Sequence, residues 1–473
     1  MKINAFLGNI QFWILLFFVV RLVGITNPPL ETSHNWRQCT GLMVARNFYE
    51  VDSNILYPRV DDNQGESGII GMEFPTMNYF HYLLALLFGY THWYGRLLNL
   101  IVSSLGLLFF SKLLDRLGFP RKMVFASTIA LAVSIWFTFS RKTMPDTYCI
   151  SFIFIALYVL FKYLDSGRLL YLIAYILIAS FAVLSKIPAI MYLIFVIPIT
   201  FCKKLELKRR VFSVVTTTIP VVLCFLWYFK WNMYLMEQYG TWYNHGKPLM
   251  EGIGDVCVHW KETLDNFYFD AFKGYLFFIV GLYGLVVMAI RKERLLWMIV
   301  LSFSLIFGGY ICKSSYCFYD QNYYIIPFVP IMAVVVGYAL SELPKQWLFV
   351  TILAVCSIES IVNQQHDFFI HGRDRYKISL ETIADSISKP SDLIMINGGE
   401  NPQLLYLSHR KGWTCTTEQM TDNEFVRHAV SKGCKYAFVD KRLASNSTNM
   451  IEQQVYEDEH FYIFQLSAND GKD

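Results

Sequence analysis

The stretch QFWILLFFVVRLVGITNPPLETSHNWRQ, Gln11 to Gln38, decides how the chain is read. It begins as an apolar run of the length that crosses a bilayer, roughly 17–25 residues. It then breaks at Pro28 and Pro29 and delivers Glu31, His34, Trp36 and Arg37 in quick succession. A plain connecting loop needs no such set where hydrocarbon meets water. What matters is whether apolar runs with polar ends recur along the chain.

They do. Of 473 residues, 55% are hydrophobic and only 16% charged, against about 25% charged in a soluble protein. Apolar runs lie near 7–26, 96–114, 122–140, 146–163, 169–185, 188–202, 211–229, 273–290, 295–312, 323–341 and 346–363. The pattern predicts an α-helical polytopic membrane protein with about eleven spans. The segment 76–91, with His81, is short and reads as an interfacial or re-entrant helix. The first run lacks a small-residue cleavage site and reads as a retained helix. A net charge of +4 without a basic stripe gives no sign of nucleic acid. The ten cysteines show no metal-ligand spacing. Cys149, Cys202, Cys224 and Cys356 lie in apolar runs and read as small buried hydrophobes, and Cys415 with Cys434 is the pair an extracytoplasmic setting would let join.

Lys and Arg in short loops set orientation. The loops KLLDRLGFPRK, KYLDSGR, CKKLELKRR, RKER and SELPKQ are all basic, and those between them are poorer in Lys and Arg. The N-terminus is therefore expected in the cytoplasm, with 27–95, 230–272 and 364–473 outside. The tail alternates helix signals (KISLETIADSIS, NEFVRHAVSKG) with strand signals (DLIMIN, KYAFVD, HFYIFQL). That suggests a small α/β accessory domain at 364–473 behind a membrane domain at 1–363. It carries no GxGxxG and no P-loop, so nothing points to a nucleotide.

Charged groups at membrane depth are costly and call for a reason. Glu31, His34 and Arg37 follow the first span, and Glu73 precedes the short helix. Arg141, Lys142 and Asp146 lie between the third and fourth spans, and Lys186 between the fifth and sixth. Gln321, Tyr323 and Tyr324 open the tenth. All fall at extracytoplasmic ends. Transfer of a sugar from a lipid phosphate fits such a collection. Arg37, Lys142 and Lys186, joined by His34 and Arg141, would carry the charge developing on the departing phosphate. Glu31 would take the acceptor hydroxyl's proton. Asp146 is the second candidate catalytic carboxylate. Trp36, Glu73, Gln321, Tyr323 and Tyr324 would line the substrate or lipid. No cofactor is required, and a divalent metal stays open.

Plainer readings run beside these. Glu31 can solvate a loop, and Arg37 and His34 can anchor at headgroups. Arg141 and Lys142 can be snorkelling ends, at least one of them. Asp146, following Pro145, suits a helix N-terminus. Asp61, Asp62 and Glu66 read as a solvated loop.

In order and topology these motifs resemble the GT-C membrane glycosyltransferases of the protein O-mannosyltransferase and lipid A aminoarabinose transferase superfamily. The resemblance covers roughly 5–345, and the tail is also like that of the aminoarabinose enzymes. It rests on ETSHNWRQCTGLMVARNFYE, MEFPTMNYFHYLLALLFG, TMPDTY, LSKIPA and NYYIIPFVP. It implies a catalytic carboxylate at Glu31, donor-phosphate contacts from Lys186 and Arg37, and an orienting or pairing role for Asp146. It also implies a polyprenyl-phosphate-linked sugar as donor and a lipid, glycan or protein hydroxyl as acceptor, while the short hydrophobic loops and compact length point to a bacterial inner membrane. Thr40 stands where many relatives have an acid, Phe74 replaces a proline, and Gln321 and Asn322 stand where many have a histidine. Two rivals share the sequence evidence. One is a transporter or flippase of lipid-linked sugars, which predicts internal repeats that are not seen. The other is a polymerase or ligase using a diphosphate-linked donor.

Overall fold

The computed structural model describes residues 7–31, 33–240, 246–444 and 453–466. The chain divides into two compact units. One comprises 1–25, 95–231 and 244–368, and the other 26–94, 232–243 and 369–473. The composition shift along the sequence places a boundary at 363/364. Here the first loop and the tail belong to one unit.

The first unit is helical. Among the described residues, four helices are long and apolar enough to cross a membrane: Tyr94–Arg116, Pro145–Ser166, Leu207–Tyr239 and Arg294–Ser314. A bent pair beginning with Gln346–Val362 makes a fifth. Ile10–Arg21, Leu169–Ser185, Ile187–Phe201, Leu276–Arg291 and Val329–Ser341 are apolar but shorter. Each of the eleven apolar runs contains a helix, Arg121–Val133 completing the set, but several are short or broken, and the reason is local. The run 122–140 stops as a helix at Val133, where Ser134 turns extended, and restarts as the single turn Trp136–Phe139. Pro188 and Pro198 remove backbone donors, so 188–202 winds as a 3₁₀ segment, Ile187–Val196, and a short α-helix. The run at 323–341 opens as the 3₁₀ turn Asn322–Ile325 before Val329–Ser341. The segment 76–91 forms only the helix Thr76–Phe88, too short to span.

Helices approach closely where side chains are small. A Cβ at Gly106 would meet Ser151 Oγ at 2.2 Å, and one at Gly337 would meet Ser127 Oγ at 1.9 Å. Those glycines set how near Tyr94–Arg116 lies to Pro145–Ser166, and Val329–Ser341 to Arg121–Val133.

The second unit is built on a five-stranded sheet. Its strands are β1 (Leu393–Ile396), β2 (Lys411–Thr414), β3 (Cys434–Asp440), β4 (Gln453–Glu457) and β5 (Phe461–Gln465), in the order β2-β1-β3-β5-β4. β1 runs parallel to β2 and β3, and β5 antiparallel to β3 and β4. The three strands and two helices expected of the tail form. β2, β4 and two helical turns, Gln403–Leu407 and Thr417–Thr421, were not anticipated. Side chains alternate across the sheet, as the two-residue strand period requires. Met395, Ala437 and Val439 enter a core with Trp413, Met420 and Ala429. Ile394, Ile396, Phe438, Phe461 and Ile463 enter the opposite one, together with Leu42, Met43, Val44 and Phe48 of the helix Asn35–Glu50. A first-loop helix therefore forms one covering layer of the tail's sheet.

Cys415 and Cys434 are free and buried. The register explains why they do not join. Leu393, at one end of β1, pairs with Cys434, and Ile396, at the other end, pairs with Thr414 beside Cys415.

Candidate active site

The predicted residues gather in two sets, one in each unit. In the first-loop set, Glu31 is only 3% exposed. The carboxamide of Gln38, fully buried one turn into the helix Asn35–Glu50, donates to its Oε2 at 3.3 Å. His34 precedes that helix in the left-handed region (φ 56°). That backbone conformation is uncommon for a non-glycine residue, although histidine adopts it more often than most. Arg37 forms an ion pair with Glu73, which is itself buried. Trp36, beside Arg37, is 37% exposed.

Farther along, Arg46 and Asp61 form a buried ion pair at 2.5 Å, and Asn47 Nδ2 donates to the other oxygen of Asp61 at 2.8 Å. The Arg46 guanidinium lies 4.5 Å from the centre of the Tyr406 ring. Asp61 is thus not a solvated loop residue. Asp62 is half-buried, and its partial desolvation pushes its carboxyl up to about 6. Glu66 alone of the three stays exposed, paired with Lys432 at 2.5 Å. The acidic loop folds inward because Arg46 needs a counter-charge under the sheet.

In the helical set, Asp146 occupies the first turn of Pro145–Ser166, after a proline at N1. It pairs with Lys186 at 2.5 Å, and the Lys186 ammonium stands 4.7 Å from the Tyr323 ring and 5.5 Å from that of Tyr324. The Lys186 side chain is thus held by one carboxylate and two aromatic faces. Tyr323 donates its hydroxyl proton to Gln321. Lys142 pairs with Asp367 at 3.4 Å. Arg141 donates to the carbonyls of Arg21 and Asp367, each at 3.0 Å, and stacks 4.1 Å from the Phe368 ring. Arg141 and Lys142 are 2% and 1% exposed. Neither snorkels, because both find partners inside the helical unit.

Five residues at these sites escaped the sequence reading. Gln38 is one. Asn99 holds the turn that carries Arg141 and Lys142: its amide nitrogen lies 2.9, 2.8 and 3.0 Å from the carbonyls of Phe139, Lys142 and Met144. Arg96, one turn before it, is fully buried. Arg21 donates to Phe17 O at 2.9 Å and Ser140 Oγ at 2.6 Å. Asp367 is the fifth. The cost of polar groups at membrane depth would have flagged Arg21 and Asn99, since both lie inside apolar runs. Among the described residues, no group of three or more His, Cys, Asp or Glu is placed to hold a metal.

Three comparisons bear on this arrangement. The family model of dolichyl-phosphate-mannose-protein mannosyltransferases matches residues 73–229. ArnT from Cupriavidus metallidurans in the apo state superposes with a TM-score of 0.58 at 13% identity, over 96% of this chain and 97% of that one. The fold is that of the GT-C membrane glycosyltransferases. ArnT bound to undecaprenyl phosphate gives 0.58 at 12% identity, over 97% of this chain and 98% of that one. The Archaeoglobus fulgidus oligosaccharyltransferase in complex with Zn and sulfate gives 0.60 at 11% identity, over 91% and 68%. No curated protein matches the chain by sequence. At these identities the GT-C likeness is one of fold, and with the apolar helices it marks an integral membrane protein.

Proposed function

We propose that the chain is a glycosyltransferase that moves a sugar from a polyprenyl-phosphate donor to a hydroxyl acceptor on the extracytoplasmic side. The observation that carries this is the burial of Glu31 at 3% exposure, held by Gln38, in the first loop of a GT-C fold. A carboxylate that only solvated a loop would face water.

In this reading Glu31 accepts the proton of the acceptor hydroxyl as its oxygen attacks the anomeric carbon. The bond from that carbon to the phosphate oxygen breaks, and the electron pair leaves with the polyprenyl phosphate. Lys186 and Lys142 stabilise the charge gathering there, with Arg141 and Arg37 adding positive potential. Asp146, engaged by Lys186, positions that ammonium and is not a second nucleophile, so the transfer inverts the anomeric centre. ArnT has been solved with undecaprenyl phosphate, and AglB from A. fulgidus with a dolichol-phosphate, which supports a lipid-phosphate donor here.

The test is transfer from a panel of radiolabelled polyprenyl-phosphate sugars by the purified chain, wild type against Glu31→Gln. The expected result is transfer by wild type, a fall of roughly 10²–10⁴-fold in the variant, and retained donor binding. Equal rates in the two proteins would remove Glu31 from the role of base.

A further inference from the structure

The tail segment 403–411 is tied to the C-terminal end of the first-loop helix Asn35–Glu50 and to the stretch of chain that leads into it. Gln403 donates from Nε2 to the carbonyl of Pro29 at 2.7 Å. Next, the Tyr406 carbonyl accepts from Arg46 at 3.2 Å, and the Tyr406 hydroxyl meets that of Tyr90 at 3.1 Å. His409 Nε2 lies 2.9 Å from Glu50, and Lys411 Nζ donates to Asn47 Oδ1 at 2.6 Å. Three of these ties hold the last five residues of the helix, at Arg46, Asn47 and Glu50. Gln403 differs, because it reaches the backbone two residues before Glu31.

Its amide is itself oriented. Gln403 is 3% exposed, and Lys377 Nζ donates to its Oε1 at 3.3 Å. Lys377 is anchored in turn on Asp374 at 2.8 Å. With Oε1 taken as acceptor, Nε2 must face Pro29. Pro29 has no backbone N–H, so its carbonyl is the only hydrogen-bonding group that its main chain offers. Leu30 N donates to the Pro28 carbonyl at 2.7 Å, closing a tight turn at the same point. The position of Glu31 is thus set from both sides, by Gln38 on the carboxylate and by Gln403 on the backbone.

We infer that Gln403 is a positioning residue for the Glu31 carboxylate, so that the tail takes part in transfer by fixing the general base. This rests on the assignment of Glu31 made above. A base displaced by about 1 Å loses roughly 10- to 100-fold in rate, whereas loss of one neutral hydrogen bond costs only modest stability.

The test uses full-length protein in detergent, with Gln403→Met to remove the donor at similar volume and Lys377→Met to release the amide's orientation. Amide hydrogen exchange across 28–38 is followed in both. Faster exchange there, with β1 and β3 unchanged, is expected, strongest in Gln403→Met. Unchanged exchange in 28–38 overturns the inference whatever the enzyme does. With the donor that wild type uses, kcat per folded molecule should fall roughly 10-fold or more in Gln403→Met, donor KM staying within about twofold. A fall that follows only the folded fraction or the melting temperature means a merely structural glutamine and also overturns it. Glu31→Gln measured alongside separates the two failures. If that variant keeps full activity, the base assignment is what has failed. If it is inactive while Gln403→Met keeps wild-type kcat, the positioning role alone is lost.

Discussion

Taking an ammonium or a carboxylate out of water costs several kcal/mol, so Lys186 and Asp146 are stable where they lie only as a pair. Lys186→Met would leave the Asp146 charge buried and should lower stability by about 3–5 kcal/mol, along with donor affinity. Adding Asp146→Asn removes the stranded charge, so most of the stability should return while donor binding does not. Thermal melts in detergent and titration with a polyprenyl-phosphate sugar read the two separately. Recovery of both in the double variant would make the pair purely architectural. Lys186 stood out because a lysine at a span junction against the charge bias asks for a partner. Asp61 did not, because an aspartate beside another in a polar loop looks solvated until Arg46 is known to lie beneath the sheet. The demand for a counter-charge came from a residue fifteen positions away, and no local pattern carries that information.

Elements were legible where a single period ran unbroken. Met395 alternates with Ile394 and Ile396 between two cores, and DLIMIN announces that. The 122–140 run reads as one helix, yet a serine that turns extended divides it, and only packing decides whether such a break occurs. The joint between the first-loop helix and the tail was not legible at all, since its members lie some 360 positions apart. It carries a pH signature. His409 sits between Glu381 at 2.7 Å and Glu50 at 2.9 Å. Hydrogen bonds to those carboxylates push the imidazole up to about 9, against burial and the nearby Arg46 guanidinium, which oppose the charge. Its folded value lies above the unfolded 6.5, so the contribution is complete below about pH 6.5 and is lost as pH rises through about 9. Glu50 and Glu381 are both held below the usual carboxylate range, and their share is lost only in acid. Wild type should therefore lose more melting temperature between pH 7 and 9.5 than His409→Gln. Parallel curves for the two proteins would show that the bridge carries no charge.

For the whole molecule, the consequential finding is that the tail shares a core with the first loop. Leu42, Met43, Val44 and Phe48 share one core with Ile394, Ile396, Leu404, Leu405, Phe438 and Ile463. Burying a large apolar side chain contributes roughly 1.5–3 kcal/mol, and four such residues on one helix would be exposed if the sheet were removed. No single hydrogen bond in the first loop offsets a loss of that size, since each nets about 1 kcal/mol. An accessory domain could be cut away and leave the loop folded. Here a chain ending at Phe368 should keep its apolar helices, while Asn35–Glu50 loses the sheet it lies on and Gln403 no longer reaches Pro29. The expected outcome is a truncated protein that still inserts in the membrane, is cut by protease within 27–94, and transfers no sugar. Supplying residues 369–473 as a separate polypeptide should restore protection of 27–94 to the extent that it binds. A truncated chain with an intact, protease-resistant first loop and wild-type transfer would show that the shared core is dispensable and the tail accessory after all.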